Sequence, residues 1–246
     1  MKNPLFIILL SALLYSCSKT DPILPGERHS IFNIGGVTIL NQPAPETEKI
    51  YREATATDWI FEQNQDNTIW KVQNGNRERV FSGLATPASV SGKRTPVWDK
   101  KYVYAGLSTG EVIKINQATR NLEWLADVYR SSAMTGGAPI LDIVAPVIVH
   151  GDAVYVGGLG GEFCRLHDRD GRKVWCVNIS TGVPFLVTSR VSFVVATDNH
   201  LYAIDNKNGD IYWQAEIRKQ AAPEMEENKI KVAREKFDAI SGENSR

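Results

Sequence analysis

The feature that most constrains this chain is a pattern that occurs three times between residues 102 and 213. In each copy a Gly or Asn is followed fourteen residues later by a Trp, and a turn residue lies four positions before that Trp. The pairs are Gly110 and Trp124, Gly161 and Trp175, and Asn199 and Trp213. Because regular recurrence at a period of several tens of residues is typical of repeat architectures, we predict a repeating supersecondary unit.

Each copy predicts short antiparallel strands joined by tight turns. Gly and Asn at the first turn tolerate positive φ, and the second turn of the third copy runs from Asp205 to Gly209. Four such strands per copy, including a short apolar run before the second and third copies, are typical of a propeller blade. We therefore predict an all-β fold, a β-propeller of four-stranded antiparallel blades over residues 29–214, with about four blades and an incomplete ring.

The two flanks of the repeats carry weaker patterns. Strand-like runs around Trp59 and Trp70 predict a partial blade before the first clear copy. After the last copy, Ile230, Phe237 and Ile240 lie at helical spacing in a charged stretch. The sequence therefore predicts a polar helical tail over residues 215–246 with a C-terminal helix.

The second turn of the third copy reads Ala203-x-Asp205-x-x-Asn208-Gly209-x-x-x-Trp213. This resembles the tryptophan-docking motif of quinoprotein (PQQ-type) propellers, and the resemblance implies that each Trp lies flat on the turn of the neighbouring blade. The Trp buries a large ring and its N–H needs an acceptor. The residues assigned to this structural motif are Trp124, Gly171, Trp175, Ala203, Asp205, Gly209 and Trp213.

The first residues predict an export signal. One Lys precedes an apolar run over residues 5–14, which indicates a signal peptide over residues 1–16. Leu14-Tyr15-Ser16-Cys17 resembles a lipoprotein lipobox and implies acylation of Cys17, with residues 17–28 as a tether. The alternative is a plain signal peptide with an incidental Cys.

Two families share the docking motif, the quinoprotein dehydrogenases and the B-component lipoproteins of the outer-membrane β-barrel assembly machinery (BamB). The lipobox, the tether and the partial blade resemble the second family. That resemblance implies a non-catalytic scaffold, lipid-anchored in the outer membrane and facing the periplasm. It implies as partners the barrel-assembly protein, through its periplasmic domains, and unfolded barrel precursors. The shortened ring adds self-association that closes the ring as a further expectation. The alternatives are a quinone-dependent dehydrogenase relic or subunit, and a propeller with another periplasmic binding role.

Charge and candidate ligands argue against other classes. Lys plus Arg and Asp plus Glu number 28 each, so nucleic acid is not an expected partner. We find no catalytic constellation or metal site and expect no cofactor. A register that pairs Leu166 with Val174 places Cys164 opposite Cys176, which makes a disulfide a candidate in an oxidising compartment. Two buried thiols remain the alternative.

Overall fold

The computed structural model describes residues 39–46, 58–86, 94–128 and 141–244, which all belong to one compact unit over Gly35–Arg246. The predicted signal peptide (1–16), the tether (17–28) and Cys17 lie outside the described residues. Within the described ranges the strands form five antiparallel sheets, and no residue is helical. These sheets are called blades 1 to 5 in chain order.

The outer blades have three strands each and the central ones have four, in the order of the chain. Blade 1 consists of β1 (Ile60–Gln63), β2 (Thr68–Gln73) and β3 (Asn76–Ser82). Blade 2 consists of β4 (Val97–Trp98), β5 (Tyr102–Gly106), β6 (Glu111–Asn116) and β7 (Leu122–Asp127). Blade 3 consists of β8 (Ile148–His150), β9 (Ala153–Val156), β10 (Phe163–His167) and β11 (Lys173–Val177). Blade 4 consists of β12 (Leu186–Val187), β13 (Val191–Val195), β14 (His200–Asp205) and β15 (Ile211–Glu216). Blade 5 consists of β16 (Pro223–Glu226), β17 (Lys229–Val232) and β18 (Glu235–Asp238).

The all-β propeller fold predicted from the repeats is confirmed, and the three copies of the pattern are the three four-stranded blades. The last two strands of blades 1 to 4 also share a bulge at one position. In the central blades it follows Lys114, Arg165 and Ala203, the residues paired with the three repeat tryptophans. In blade 1 the equivalent residue is Ile69, paired with Phe81. Blade 1 is therefore a repeat in which Phe81 stands where blades 2, 3 and 4 have Trp.

The hydrophobic core lies between the faces of successive blades. One cluster combines Phe163 and Trp175 of blade 3 with Phe185, Val194 and Ile204 from the blade 4 side. The Phe163 and Phe185 rings meet edge to face with centroids 4.9 Å apart. Because a fully buried side chain of this size contributes roughly 1.5–3 kcal/mol, packing across each junction is the main force that holds the blades together.

The predicted C-terminal helix is wrong, because this part of the chain forms blade 5. Ile230 and Val232 alternate inward along β17, and Phe237 is buried in β18. The hairpin turn between these strands places Ala233 at φ 54°. Two short strands joined by a tight turn thus bring Ile230 and Phe237 to one side of the sheet, and their separation in sequence only imitates a helical repeat.

Residues 39–46 run along the outer edge of blade 4. The Leu40 N–H donates to the Ile211 carbonyl (2.8 Å) and the Gln42 N–H to the Tyr212 carbonyl (3.0 Å). The Ala44 N–H reaches the Ile240 carbonyl after blade 5 (2.7 Å), and Ala44 is only 3% exposed. The proline residues at 43 and 45, which have no N–H, alternate with these donors. An edge that would otherwise be open to other strands is therefore covered.

Candidate functional site: the inter-blade junctions

The junctions begin with the turn that follows the third strand of blades 3, 4 and 5. Gly171, Gly209 and Gly242 have φ values of 70°, 82° and 74°. Each donates its N–H to the carbonyl four residues earlier, at 2.8–2.9 Å. The turn preceding Gly209 is fixed by Asp205, whose Oδ1 accepts the Lys207 N–H at 2.6 Å. Glycine is favoured at each of these positions because the left-handed conformation is strained for other residues.

Each repeat Trp lies against the turn glycine of the next blade. Trp124 contacts Gly171, Trp175 contacts Gly209 and Trp213 contacts Gly242. A Cβ placed on these glycines would lie 2.6–2.9 Å from ring carbon atoms of the indole. Glycine is thus required in this turn for two reasons: the backbone has a positive φ, and the indole ring occupies the space that a Cβ would need.

The indole N–H groups differ among the three junctions. Trp124 donates to the Asp168 carbonyl (2.8 Å) and Trp175 to the Asn206 carbonyl (3.1 Å). Both acceptors lie three residues before the turn glycine. The Trp213 N–H is buried and has no acceptor within the described residues. Polar anchoring is therefore present at two junctions and absent from the third.

At the junction of blades 2 and 3 a cation joins this arrangement. Lys114, the residue paired with Trp124, is 4% exposed and places Nζ 2.7 Å from Asp168 Oδ2. Its Nζ also donates to the Asp168 carbonyl at 2.9 Å. Tyr104, paired with Lys114 on the other side, donates its hydroxyl to Asp168 Oδ1 at 2.7 Å. Asp168 therefore neutralises the buried ammonium group of Lys114 and accepts hydrogen bonds from Lys114, Tyr104 and Trp124.

The junction of blades 3 and 4 has the same strand pairing, but the cation and the residue that faces it are different. Arg165 is paired with both Trp175 and Tyr155, as Lys114 is with Trp124 and Tyr104. The residue equivalent to Asp168 is Asn206, and its side chain turns away to bond the Thr188 carbonyl (2.8 Å) and the Ser192 hydroxyl (2.6 Å). Beside Arg165 a cleft of about 420 Å³ opens between the two blades.

The junction of blades 1 and 2 departs from the pattern on both sides at once. Phe81 stands in the Trp position, and Arg120 stands in the glycine position with φ 61°. Arg120 forms an exposed ion pair with Glu78 of β3. The ring and the turn residue thus change together, as expected if the glycine exists to accommodate the indole.

The candidate disulfide residues lie on neighbouring strands of blade 3. Cys164 and Cys176 are directly opposite each other, and the structure joins them by a disulfide. The bulge places Leu166 opposite Lys173, so the predicted pairing of Leu166 with Val174 is wrong although the cysteines still meet. A Glu162 oxygen and both sulfurs lie within 4.8 Å of one another. The bonded sulfurs are not thiolates, so this group offers no sulfur ligands to a metal.

Sequence reasoning missed three features of the junctions. Asp238-x-x-Ser241-Gly242 repeats the spacing of Asp205 and Gly209, and this motif was a usable signal for blade 5. In its turn the Ser241 N–H is the main cause that holds the pKa of Asp238 below its ordinary value. The partnership of Lys114 with Asp168 was also missed, because it joins residues 54 positions apart and has no local signature.

The third missed feature is a buried ion pair between the approaches to blades 2 and 3. Arg94 and Asp142 are almost fully buried and meet in a bidentate geometry, with Nη2–Oδ2 at 2.6 Å and Nε–Oδ1 at 3.0 Å. The Asp142 backbone pairs with Leu159 in the connection between β9 and β10 of blade 3. Such a pair holds the two segments together, because separating the partners would leave an uncompensated buried charge, which is strongly destabilising.

Within the described ranges, no helix has the length and apolar character needed to cross a membrane. Antiparallel sheets joined by Trp-on-Gly contacts define the class of this protein as a β-propeller of PQQ-like repeats. The family model described as "Outer membrane protein assembly factor BamB" matches residues 36–215 and, in a second match, 159–242. The chain therefore belongs to that family.

Individual relatives agree with this assignment. The outer membrane protein assembly factor BamB of Alkalilimnicola ehrlichii is 25% identical over 126 residues, which are 51% of this chain and 33% of the relative. The crystal structure of BamB from Moraxella catarrhalis matches with a TM-score of 0.58 and 15% identity, over 81% of this chain and 62% of that one. The chain thus spans about a third of the curated relative's length.

Proposed function

We propose that this chain is a non-catalytic scaffold that aids the assembly and insertion of outer-membrane β-barrel proteins from the periplasmic side. The observation that carries the proposal is the family match, which extends over all five blades. By this proposal its partners are the periplasmic domains of the barrel-assembly protein and unfolded barrel precursors. Cys17 carries the lipid anchor that holds the chain at the outer membrane.

The build of the junctions supports a scaffold role. Buried rings, turn glycines, a buried ion pair and a second, partly buried ion pair fix the relative positions of successive blades. Rigid strands of this kind hold the connecting loops at defined spacings, and loops on a rigid frame are the usual carriers of binding. A scaffold of this type needs fixed geometry and no reactive group.

The partner is tested by isolating the tagged full chain from detergent-solubilised membranes of its own host. We expect the barrel-assembly protein in the eluate, and we expect cells that lack the chain to contain less folded barrel protein in their outer membrane. Folded barrels are measured by their heat-modifiable gel mobility. An eluate without the barrel-assembly protein, together with unchanged barrel levels, would overturn the proposal.

The anchor is tested separately with Cys17→Ser. Metabolic labelling with radioactive palmitate is expected to mark the wild-type chain and not the variant, and the variant is expected to leave the membrane fraction. Cys164→Ser is unsuitable as a control because it breaks the disulfide, so Ser18→Ala serves as the matched control. Equal labelling of wild type and Cys17→Ser would refute anchoring at this residue.

The dehydrogenase alternative is tested with pyrroloquinoline quinone, the cofactor of the dehydrogenases that share the repeat. Titration of the purified chain is expected to give no stoichiometric change in the absorbance spectrum of the quinone. A saturable spectral shift at one equivalent would instead favour the dehydrogenase alternative.

A further inference from the structure

Two neighbouring junctions differ in how they neutralise the cation that they hold. At blades 2 and 3, Lys114 has a carboxylate oxygen of Asp168 at 2.7 Å. At blades 3 and 4, the nearest carboxylate to Arg165 within the described part of the chain is that of Asp152, at 3.4 Å, and the Asp152 side chain is 68% exposed. Since an exposed ion pair is screened by water and contributes little, Arg165 is far less neutralised than Lys114.

The hydrogen bonds of Arg165 are correspondingly incomplete. Its side chain is 22% exposed, and its Nε is buried without an acceptor within the described residues. One Nη lies 3.4 Å from the Asn206 carbonyl, at the limit of a hydrogen bond. A guanidinium presents five N–H groups in a planar fork suited to a carboxylate, so this one retains unused donor capacity.

The space next to Arg165 is open. The cleft of about 420 Å³ is lined by Arg165 and Tyr155 of blade 3 and by Asn206 and Lys207 of blade 4. His150 and Arg190 stand at its sides, so the cleft has three permanent cations and one histidine. The carboxylates among its described lining residues are those of Asp152 and Asp205. Asp205 accepts the Tyr212 hydroxyl at 2.7 Å and the Lys207 N–H at 2.6 Å, which leaves it little freedom to turn toward Arg165.

We propose that this cleft binds a carboxylate side chain of an extended peptide segment from a partner protein. The bound carboxylate stands opposite Arg165 in the role that Asp168 has opposite Lys114. The Asp168 side chain is an internal precedent, because it is a peptide carboxylate seated between a tyrosine and a cation of the preceding blade. A volume of about 420 Å³ is larger than a small inorganic anion needs and has room for the flanking backbone. The inference goes beyond the proposed function and does not depend on it.

The test uses the purified full chain labelled with ¹⁵N and the peptide acetyl-Gly-Gly-Asp-Gly-Gly-amide, with the Asn peptide as its matched control. Titration is followed through the Arg165 Nε–H and the Trp175 indole N–H resonances. The Asp peptide is expected to shift both in a saturable way, and the Asn peptide is expected to shift neither. Equal response to the two peptides would overturn the proposal.

Three variants assign the binding to the cleft. Arg165→Met is expected to weaken binding at least tenfold, whereas Asp152→Asn is expected to strengthen it severalfold, because it removes the competing carboxylate. Lys219→Met makes the same charge change as Arg165→Met outside the cleft and is expected to change the affinity less than twofold. Unchanged affinity in both Arg165→Met and Asp152→Asn would refute the site, and Asp152→Asn keeps the test decisive if Arg165→Met does not fold.

Inorganic phosphate separates a peptide site from a general anion site. Phosphate at equal ionic strength is expected to bind more weakly than the Asp peptide, because it makes no contact through a backbone. Phosphate that binds as tightly as the peptide, and competes with it, would show a site for free anions and overturn the peptide assignment.

Discussion

At the residue scale, one indole contributes in three ways to a junction: it packs on the next turn, it excludes side chains from that turn, and its N–H finds a carbonyl. The third contribution is present for Trp124 and Trp175 and absent for Trp213. The three tryptophans are otherwise similarly buried. The chain therefore contains its own comparison of a ring with and without a polar anchor.

That comparison gives a prediction for Trp→Phe substitutions. Trp124→Phe and Trp213→Phe remove the same indole atoms, but only the first also removes a hydrogen bond, the one that the Trp124 N–H donates to the Asp168 carbonyl. We expect Trp124→Phe to lower the free energy of unfolding by about 1 kcal/mol more than Trp213→Phe, the usual net contribution of a hydrogen bond. Urea denaturation of both variants measures the difference, and equal losses would show that the N–H to Asp168 contributes nothing.

The turn glycines give a second prediction. Gly209→Ala brings a strained φ and a Cβ 2.9 Å from the Trp175 ring. Gly75→Ala brings only the strained φ, since no atom of the described residues lies within 4 Å of the added Cβ. The left-handed conformation costs a non-glycine residue roughly 1–2 kcal/mol. We expect Gly75→Ala to lose about that amount and Gly209→Ala clearly more, as measured by urea denaturation. Similar losses would mean that the ring yields to the added methyl group at no cost.

At the scale of the elements, the bulged pair formed by the last two strands is the constant part of blades 1 to 4. In blade 3 this pair is also covalently linked, because Cys164 of β10 and Cys176 of β11 are opposite each other. The bond closes a short loop that contains the turn on which Trp124 packs. Formation of the Cys164–Cys176 disulfide thus restrains the turn against which Trp124 of blade 2 packs.

The disulfide is expected to stabilise the chain mainly through the unfolded state. For a sequence separation of 12, chain-entropy reasoning gives about 3 kcal/mol. Dithiothreitol is expected to lower the urea midpoint of the wild-type chain and to leave that of Cys164→Ala with Cys176→Ala unchanged. A wild-type midpoint that does not respond to full reduction, verified by thiol counting, would contradict this expectation.

Prediction from sequence succeeded where a repeat preserved its local signals. The three central blades followed from the spacing of turn residue and Trp, because both are fixed by the geometry of one hairpin. Blade 5 keeps the turn signal at Asp238 and Gly242, but no Trp follows it, so a pattern anchored on Trp does not detect it. The cations and carboxylates of the junctions were out of reach because their partners lie in different blades and meet only after folding.

At the scale of the whole molecule, the chain returns on itself where residues 39–46 cover β15 and contact the loop after blade 5. Ala44 is packed in the same hydrophobic cluster as Ile230 and Val232 of blade 5. The hydrogen bonds to Ile211 and Ile240 carbonyls connect this segment to two blades. Its attachment therefore stabilises the blade 4 and blade 5 region as a unit.

A charge at this point is expected to loosen that region and spare the rest. Ala44→Asp places an unpaired carboxylate in an apolar cluster, which costs several kcal/mol. Hydrogen exchange is expected to become faster at Leu40, Gln42 and throughout β16–β18, with no change in β5 and β6 of blade 2. Ala221→Asp, at a partly exposed alanine of the same cluster, serves as the milder control. Uniform acceleration in all blades would instead indicate a single global unfolding unit.

The pairing of Leu40 and Gln42 with Ile211 and Tyr212 also sets an order of events during synthesis. The early segment leaves the ribosome long before the strand that it covers has been made, and at about 5–20 residues per second the delay is on the order of ten seconds. Throughout that interval the segment has no native partner and stays accessible to chaperones and proteases. The first described residues are thus among those that wait longest for their native partners.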